Sequence, residues 1–182
     1  PLSLLVVRET PETVPPNLIE FLHEQYNAEI LRGDTRAQDS PLKREDFANY
    51  WFNEWADVAT LATEGHDGSL LDSSDWKGGY VGALRIMSNY PARSSHICHA
   101  DFVTAPTIAR RSALEGLGRA YLEYAAELGY AYAMFNLVFA TDTEFIAALK
   151  KLGFEIIGRI PQAARVKDQE ELVDAFVFGR SL

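Results

Sequence analysis

The chain has 182 residues, about the size of one domain and enough to bury a single core. Its 47% apolar and 24% charged residues exclude a disordered or fibrous chain, and a net charge of −9 argues against a nucleic-acid surface. No apolar run approaches the roughly 20 residues of a membrane span, the start Pro1-Leu2-Ser3 has no basic leader, and the lone Cys98 fits a reducing, cytoplasmic compartment.

In chain order, Leu18, Phe21, Leu22, Tyr26 and Ile30 recur at helical spacing over 16–31, and Gly33 follows as a stop. Residues 34–42, with Pro41, read as a loop. A second helix over 43–55 is expected to bury Phe47, Tyr50, Trp51 and Trp55. After a short apolar run at 58–62 comes a Gly/Asp/Ser-rich stretch, 64–78, too long for a simple connection. It is expected to shape or cover a binding site.

Strands are expected over 80–87, 96–104 and 131–140. Between the last two, Leu114, Leu117, Tyr121, Ala125 and Leu128 form one stripe of a helix over 112–128, ended by Gly129. A shorter helix over 143–152 stops at Gly153, and strands at 155–160 and 173–178 close the chain. The order combines a strand–helix–strand crossover with hairpin pairing. That predicts an α/β (α+β) fold, one domain over 1–182 with a mixed sheet flanked by helices. Gly116-Leu117-Gly118 lies inside a helix and is no dinucleotide fingerprint.

Several residues could carry chemistry. Asn136 interrupts an apolar strand, so its amide must bond either neighbouring backbone or something in a cleft. His96 and His99 are three apart and face opposite sides of a strand, which argues against a metal site. His99 and Asp101 share a face, a base with a carboxylate nearby, although about 7 Å between their Cα atoms leaves contact open. Arg110 and Arg111 stand where a strand feeds a helix start, a place that favours an anion. Thr141-Asp142-Thr143-Glu144 matches a capping box with Thr141 as the cap.

Taken together, strand 96–104, the turn at Arg111, Asn136 and Lys150-Lys151-Leu152-Gly153-Phe154 resemble the GNAT superfamily of N-acetyltransferases. The family's phosphate loop falls on Arg111-Ser112-Ala113-Leu114-Glu115-Gly116. A closer likeness, to the fungal proline-analogue (azetidine-2-carboxylate) N-acetyltransferases, rests on Asn49-Tyr50-Trp51-Phe52, Asn89-Tyr90, Ser95-His96, Gly129-Tyr130 with Tyr132, and Phe135-Asn136-Leu137-Val138-Phe139. The chain departs from the pattern at Leu114, at Glu115 and at Leu149, where many members place a tyrosine. His99 and Asp142 stand where the fungal relatives have asparagines.

The resemblance implies acetyl-CoA as donor, no metal, and direct attack by a small amine or amino-acid-like acceptor in a ternary complex. It also implies a homodimer. Backbone at Phe102, Val103 and Thr104 would hold pantetheine, and Arg111 to Gly116 with Asp142 would serve the rest of the donor. His99 would be the base, and His99, Asn136 and Asp142 would face the acceptor. The rival expectations are an acetyltransferase for a polyamine, antibiotic or protein lysine, or a non-catalytic acyl-CoA binder.

Overall fold

The structure is a computed structural model that describes residues 2–7, 11–12, 14–53, 55–63, 80–106 and 108–182. Strand β1 (Leu2–Val7) is followed by helices α1 (Pro16–Arg32) and α2 (Arg44–Trp51) and strands β2 (Ala56–Thr63), β3 (Tyr80–Ser88) and β4 (Ile97–Thr104). Helix α3 (Arg110–Glu127), strand β5 (Tyr132–Phe139), helix α4 (Thr143–Lys151) and strands β6 (Glu155–Ala164) and β7 (Val173–Ser181) complete it. The expected loop over 64–78 lies outside the described residues.

One seven-stranded sheet runs in the order β1-β2-β3-β4-β5-β7-β6. Every neighbouring pair is antiparallel except β4 and β5, which the α3 crossover makes parallel. That parallel pairing lasts only from Ile97–Tyr132 to His99–Met134, and then the two strands part.

Each face of the sheet carries a pair of helices. On one side α1 and α2 bury Leu18, Leu22, Tyr26, Phe47 and Trp51 against Val58, Ala83 and Val103. On the other side Leu117 and Tyr121 of α3 and Leu149 of α4 meet Leu84, Ile86, Phe102 and Phe135. Gly118 permits the close approach of α3 to α4, because a Cβ there would lie 2.3 Å from a methyl of Leu152.

Two expectations change. Helix α2 stops at Trp51, since the chain must turn (Ala56 N–H to Asn53 carbonyl, 3.1 Å) to enter β2. Trp55 therefore lies beyond the helix and is 74% exposed rather than buried. At the end of α1, Gly33 takes the left-handed cap conformation (φ 75°). Its carbonyl accepts from Lys167 N–H at 2.9 Å, which ties the β6–β7 hairpin to α1.

Candidate active site

Beyond Met134, strand β5 bulges. Phe135 pairs with Phe178 and Val138 with Phe176, so Asn136 and Leu137 together stand opposite Val177. The bulge and the parting of β4 open a cleft of about 110 Å³, bordered by Arg36, Phe102, Arg110, Asn136, Leu137 and Asp142 among others.

Strand alternation decides which β4 backbone groups face that cleft. The Phe102 carbonyl accepts from Arg36 Nη2 at 2.5 Å, and the Thr104 N–H donates to Glu29 Oε1 at 3.3 Å. Both groups lie on the β5 side, outside the β3 ladder. Val103 is set the other way: it pairs with Ala83, its carbonyl accepts from Tyr80 Oη at 3.2 Å, and its side chain is fully buried. The polar backbone of Val103 thus points at β3 and not at the cleft.

Helix α3 starts at Arg110, two residues earlier than the sequence suggests, and among the described residues no side chain caps it at Ala109. Ser112 and Ala113 N–H already bond the Ala109 carbonyl, at 2.8 and 3.2 Å. The free N–H groups of the helix end thus belong to Arg110 and Arg111. Further along, Leu114 is packed into the core and Gly116 is buried in the second turn. Glu115 is bound by Lys151 Nζ (2.6 Å) and Arg111 Nε (3.4 Å), contacts that hold its carboxyl below the usual range. What was expected as a six-residue phosphate loop is a helix start followed by a packed turn.

Asp142 sits at the cleft mouth. Its two oxygens accept from Arg110 Nη1 and Nη2 at 2.7 and 2.8 Å, a bidentate pair. Oδ1 also accepts from Phe145 N–H at 3.1 Å, so Asp142 rather than Thr141 caps α4. A carboxylate suits that position because it satisfies the free N–H and the positive helix end together.

His99 and Asp101 share the α1/α2 face, as expected, but no hydrogen bond joins them. Asp101 accepts from Tyr50 Oη at 2.5 Å and pairs with Arg36 at 3.5 Å. Burial alone would raise the Asp101 pKa, but Arg36, the Tyr50 hydroxyl, Arg85 and His99 hold it below the usual value. The His99 Nδ1 is buried without a partner among the described residues. Burial pushes the His99 pKa below 6.5; Arg85 acts in the same direction and Asp101 opposes it. The imidazole is therefore neutral at pH 7.

Glu29, Arg36 and Arg85 complete this polar layer, and none of them is among the residues singled out from the sequence. Arg36 pairs with Glu29 at 2.9 Å and lies 4.0 Å over the Tyr26 ring. Arg85 stands opposite Asp101, bonds the Tyr50 carbonyl and covers the Tyr50 ring at 4.1 Å. Asn136 reaches the Asn89 side chain at 3.0 Å while bordering the cleft, so its partner is a side chain and not neighbouring backbone.

A second, larger cavity of about 630 Å³ lies between the α1–α2 connection and the β6–β7 hairpin. Arg36, Leu137 and Phe139 border both cavities. Among the described residues no group of three His, Cys, Asp or Glu side chains could hold a metal ion, and no helix is long and apolar enough to cross a membrane.

A sheet that splays at its one parallel pair, with an open β4 edge and a helix start at the mouth, defines an acyl-CoA N-acyltransferase fold. No family model matches the chain. It is 34% identical to the N-acetyltransferase aca1 of Schizosaccharomyces pombe over 165 residues, 88% of this chain and 78% of that protein. A GCN5-related N-acetyltransferase from Kribbella flavida superposes with a TM-score of 0.81 at 20% identity, over 100% of this chain and 98% of its own. A phosphinothricin acetyltransferase from Sinorhizobium meliloti, solved in complex with acetyl-CoA, does so with a TM-score of 0.75 at 12% identity, over 98% and 88%. The chain belongs to the GCN5-related N-acetyltransferases, the GNAT superfamily.

Proposed function

We propose that the protein transfers the acetyl group of acetyl-CoA to the amine of a small, carboxylate-bearing acceptor by direct attack in a ternary complex. The observation that carries the donor half is the β4 edge at Phe102 and Thr104, one carbonyl and one N–H turned out of the sheet ladder. Peptide-like amides of a pantetheine arm fit such an edge as a further strand would. Arg110 and Arg111, at the uncapped start of α3, fit the phosphates beyond it.

Bound acetyl-CoA supplies an activated thioester; the chain supplies positioning and proton transfer. His99, whose pKa burial lowers, accepts the proton that the attacking amine must lose. The Phe102 N–H, on the cleft side of β4, stabilises negative charge developing on the acetyl oxygen, an effect of roughly 3 kcal/mol for one well-placed donor. Asn136 orients the acceptor at the rim, and Asp142 holds Arg110 in place.

The acceptor body occupies the larger cavity. Two cations, Arg165 and Lys167, stand with one acid, Asp39, in its lining, while Arg36 there is held by Glu29 and Asp101. That excess of positive charge favours an amine carrying a carboxylate over a polyamine. Release of free CoA, followed with amino acids, cyclic secondary amino acids and polyamines, tests the reading. Turnover with the amino acids supports it, turnover confined to polyamines removes the acceptor class, and binding of acetyl-CoA without turnover makes the protein a binder.

A further inference from the structure

We infer that Leu137 sets the size limit on the substituents beside the acceptor's amine nitrogen. This rests on the reading above, in which the acceptor body lies in the larger cavity and its amine reaches the cleft. Leu137 is one of the two bulge residues of β5 and adopts φ +52°, a left-handed conformation that costs a leucine about 1–2 kcal/mol relative to glycine. Only one other strand residue among those described, Gln162 on the outermost strand, shares that sign of φ. A glycine would fit the bulge without strain, so the backbone does not call for the leucine side chain.

Nor does the core. Leu137 is 39% exposed, while Phe135, Val138 and Phe139 around it are buried. Its position gives the reason: with Arg36 and Phe139 it borders both the 630 Å³ cavity and the 110 Å³ cleft. Arg36 is held by Glu29, Asp101 and the Phe102 carbonyl, and Phe139 is packed beneath. Leu137 is the exposed apolar member of that wall. An amine on an unsubstituted carbon passes it. Added methyl groups on that carbon meet the isobutyl group.

Glycine, L-alanine and 2-aminoisobutyrate share amine and carboxylate and differ by none, one and two methyls on the carbon beside nitrogen. We expect Leu137→Ala and Leu137→Gly to raise the kcat/KM ratio of 2-aminoisobutyrate to glycine by roughly tenfold or more, the usual worth of one or two excluded methyls. Leu137→Phe should lower the ratio of L-alanine to glycine. Acetyl-CoA affinity should stay within about threefold in all three, and the Tm of Leu137→Gly should not fall, because that variant removes the positive-φ strain. Ratios within twofold of wild type while glycine is still acetylated would overturn the gate and leave acetyl transfer standing. A wild type that acetylates none of the three would overturn the acceptor class, and the gate with it.

Discussion

Arg110 and Asp142 meet through two parallel hydrogen bonds of 2.7 and 2.8 Å, and the same carboxylate caps α4 through Phe145 N–H. One side chain thus fixes the start of one helix to the start of another across the cleft mouth. Asp142→Ala removes both functions at once. We expect a loss of about 1–3 kcal/mol, the sum of a missing cap and a guanidinium left with only the longer contact to Glu144, at 3.4 Å. Asp142→Asn keeps the cap acceptor and should lose less. Thermal denaturation checks the order; equal losses would show that the ion pair with Arg110 alone matters.

His99 gives a pH signature. Burial lowers its pKa, so the folded protein binds its proton more weakly than the unfolded chain does. Stability from this group is therefore present above the unfolded value near 6.5 and is lost as pH falls through the lower folded value. As base, the neutral ring makes kcat/KM rise with pH through an apparent pKa below 6.5, then level. His99→Asn should remove that limb and lower the rate by roughly 10²–10⁴. Acceptors of different amine pKa separate this limb from titration of the substrate. A variant with the wild-type limb and rate would make His99 a packing residue.

Glu29 and Arg36 sit on the β4 groups that a donor's amides would use. The two sets of bonds compete, so Glu29→Ala and Arg36→Met should tighten acetyl-CoA binding by several fold, measured by calorimetry. Weaker binding in both variants would mean that the pair contacts the donor instead of making room for it.

Gly118 is set by α3–α4 packing rather than by a ligand. Gly118→Ala places a methyl 2.3 Å from Leu152 Cδ1 and should cost about 1–3 kcal/mol, read as a lowered Tm. Leu152→Ala in the same chain should recover part of that loss. No recovery would place the strain elsewhere.

The helices and most strands were legible because apolar spacing reports which face is buried. The stripe at Leu18, Leu22, Tyr26 and Ile30 and the glycine stops at 33 and 153 match the elements found. Strand β1 was not legible, since Leu2–Val7 is short and lacks a regular apolar–polar alternation. Trp55 misled because an aromatic at helical spacing looks buried, although the helix ends four residues earlier. At the site, His99 and Asn136 stood out as polar interruptions of apolar strands. Glu29 and Arg85 carry the same signal, an acid three residues after Tyr26 on the buried stripe and a cation inside Tyr80–Ser88. Arg36 carried none. It lies in a loop, and only the tertiary fold brings it to Phe102. Alternation sets Val103 apart from Phe102 and Thr104, because the backbone groups of neighbouring strand residues point to opposite sides.

The parallel seam between β4 and β5 has a mechanical meaning. Three rungs, from Ile97–Tyr132 to His99–Met134, join a four-stranded block to a three-stranded one across the middle of the sheet. Every other strand junction is a longer antiparallel ladder. The seam is the line along which the two blocks can flex or tear with the fewest backbone bonds broken. A molecule lying in the cleft and bonding β4 would act as a splint, stiffening the sheet at its weakest joint.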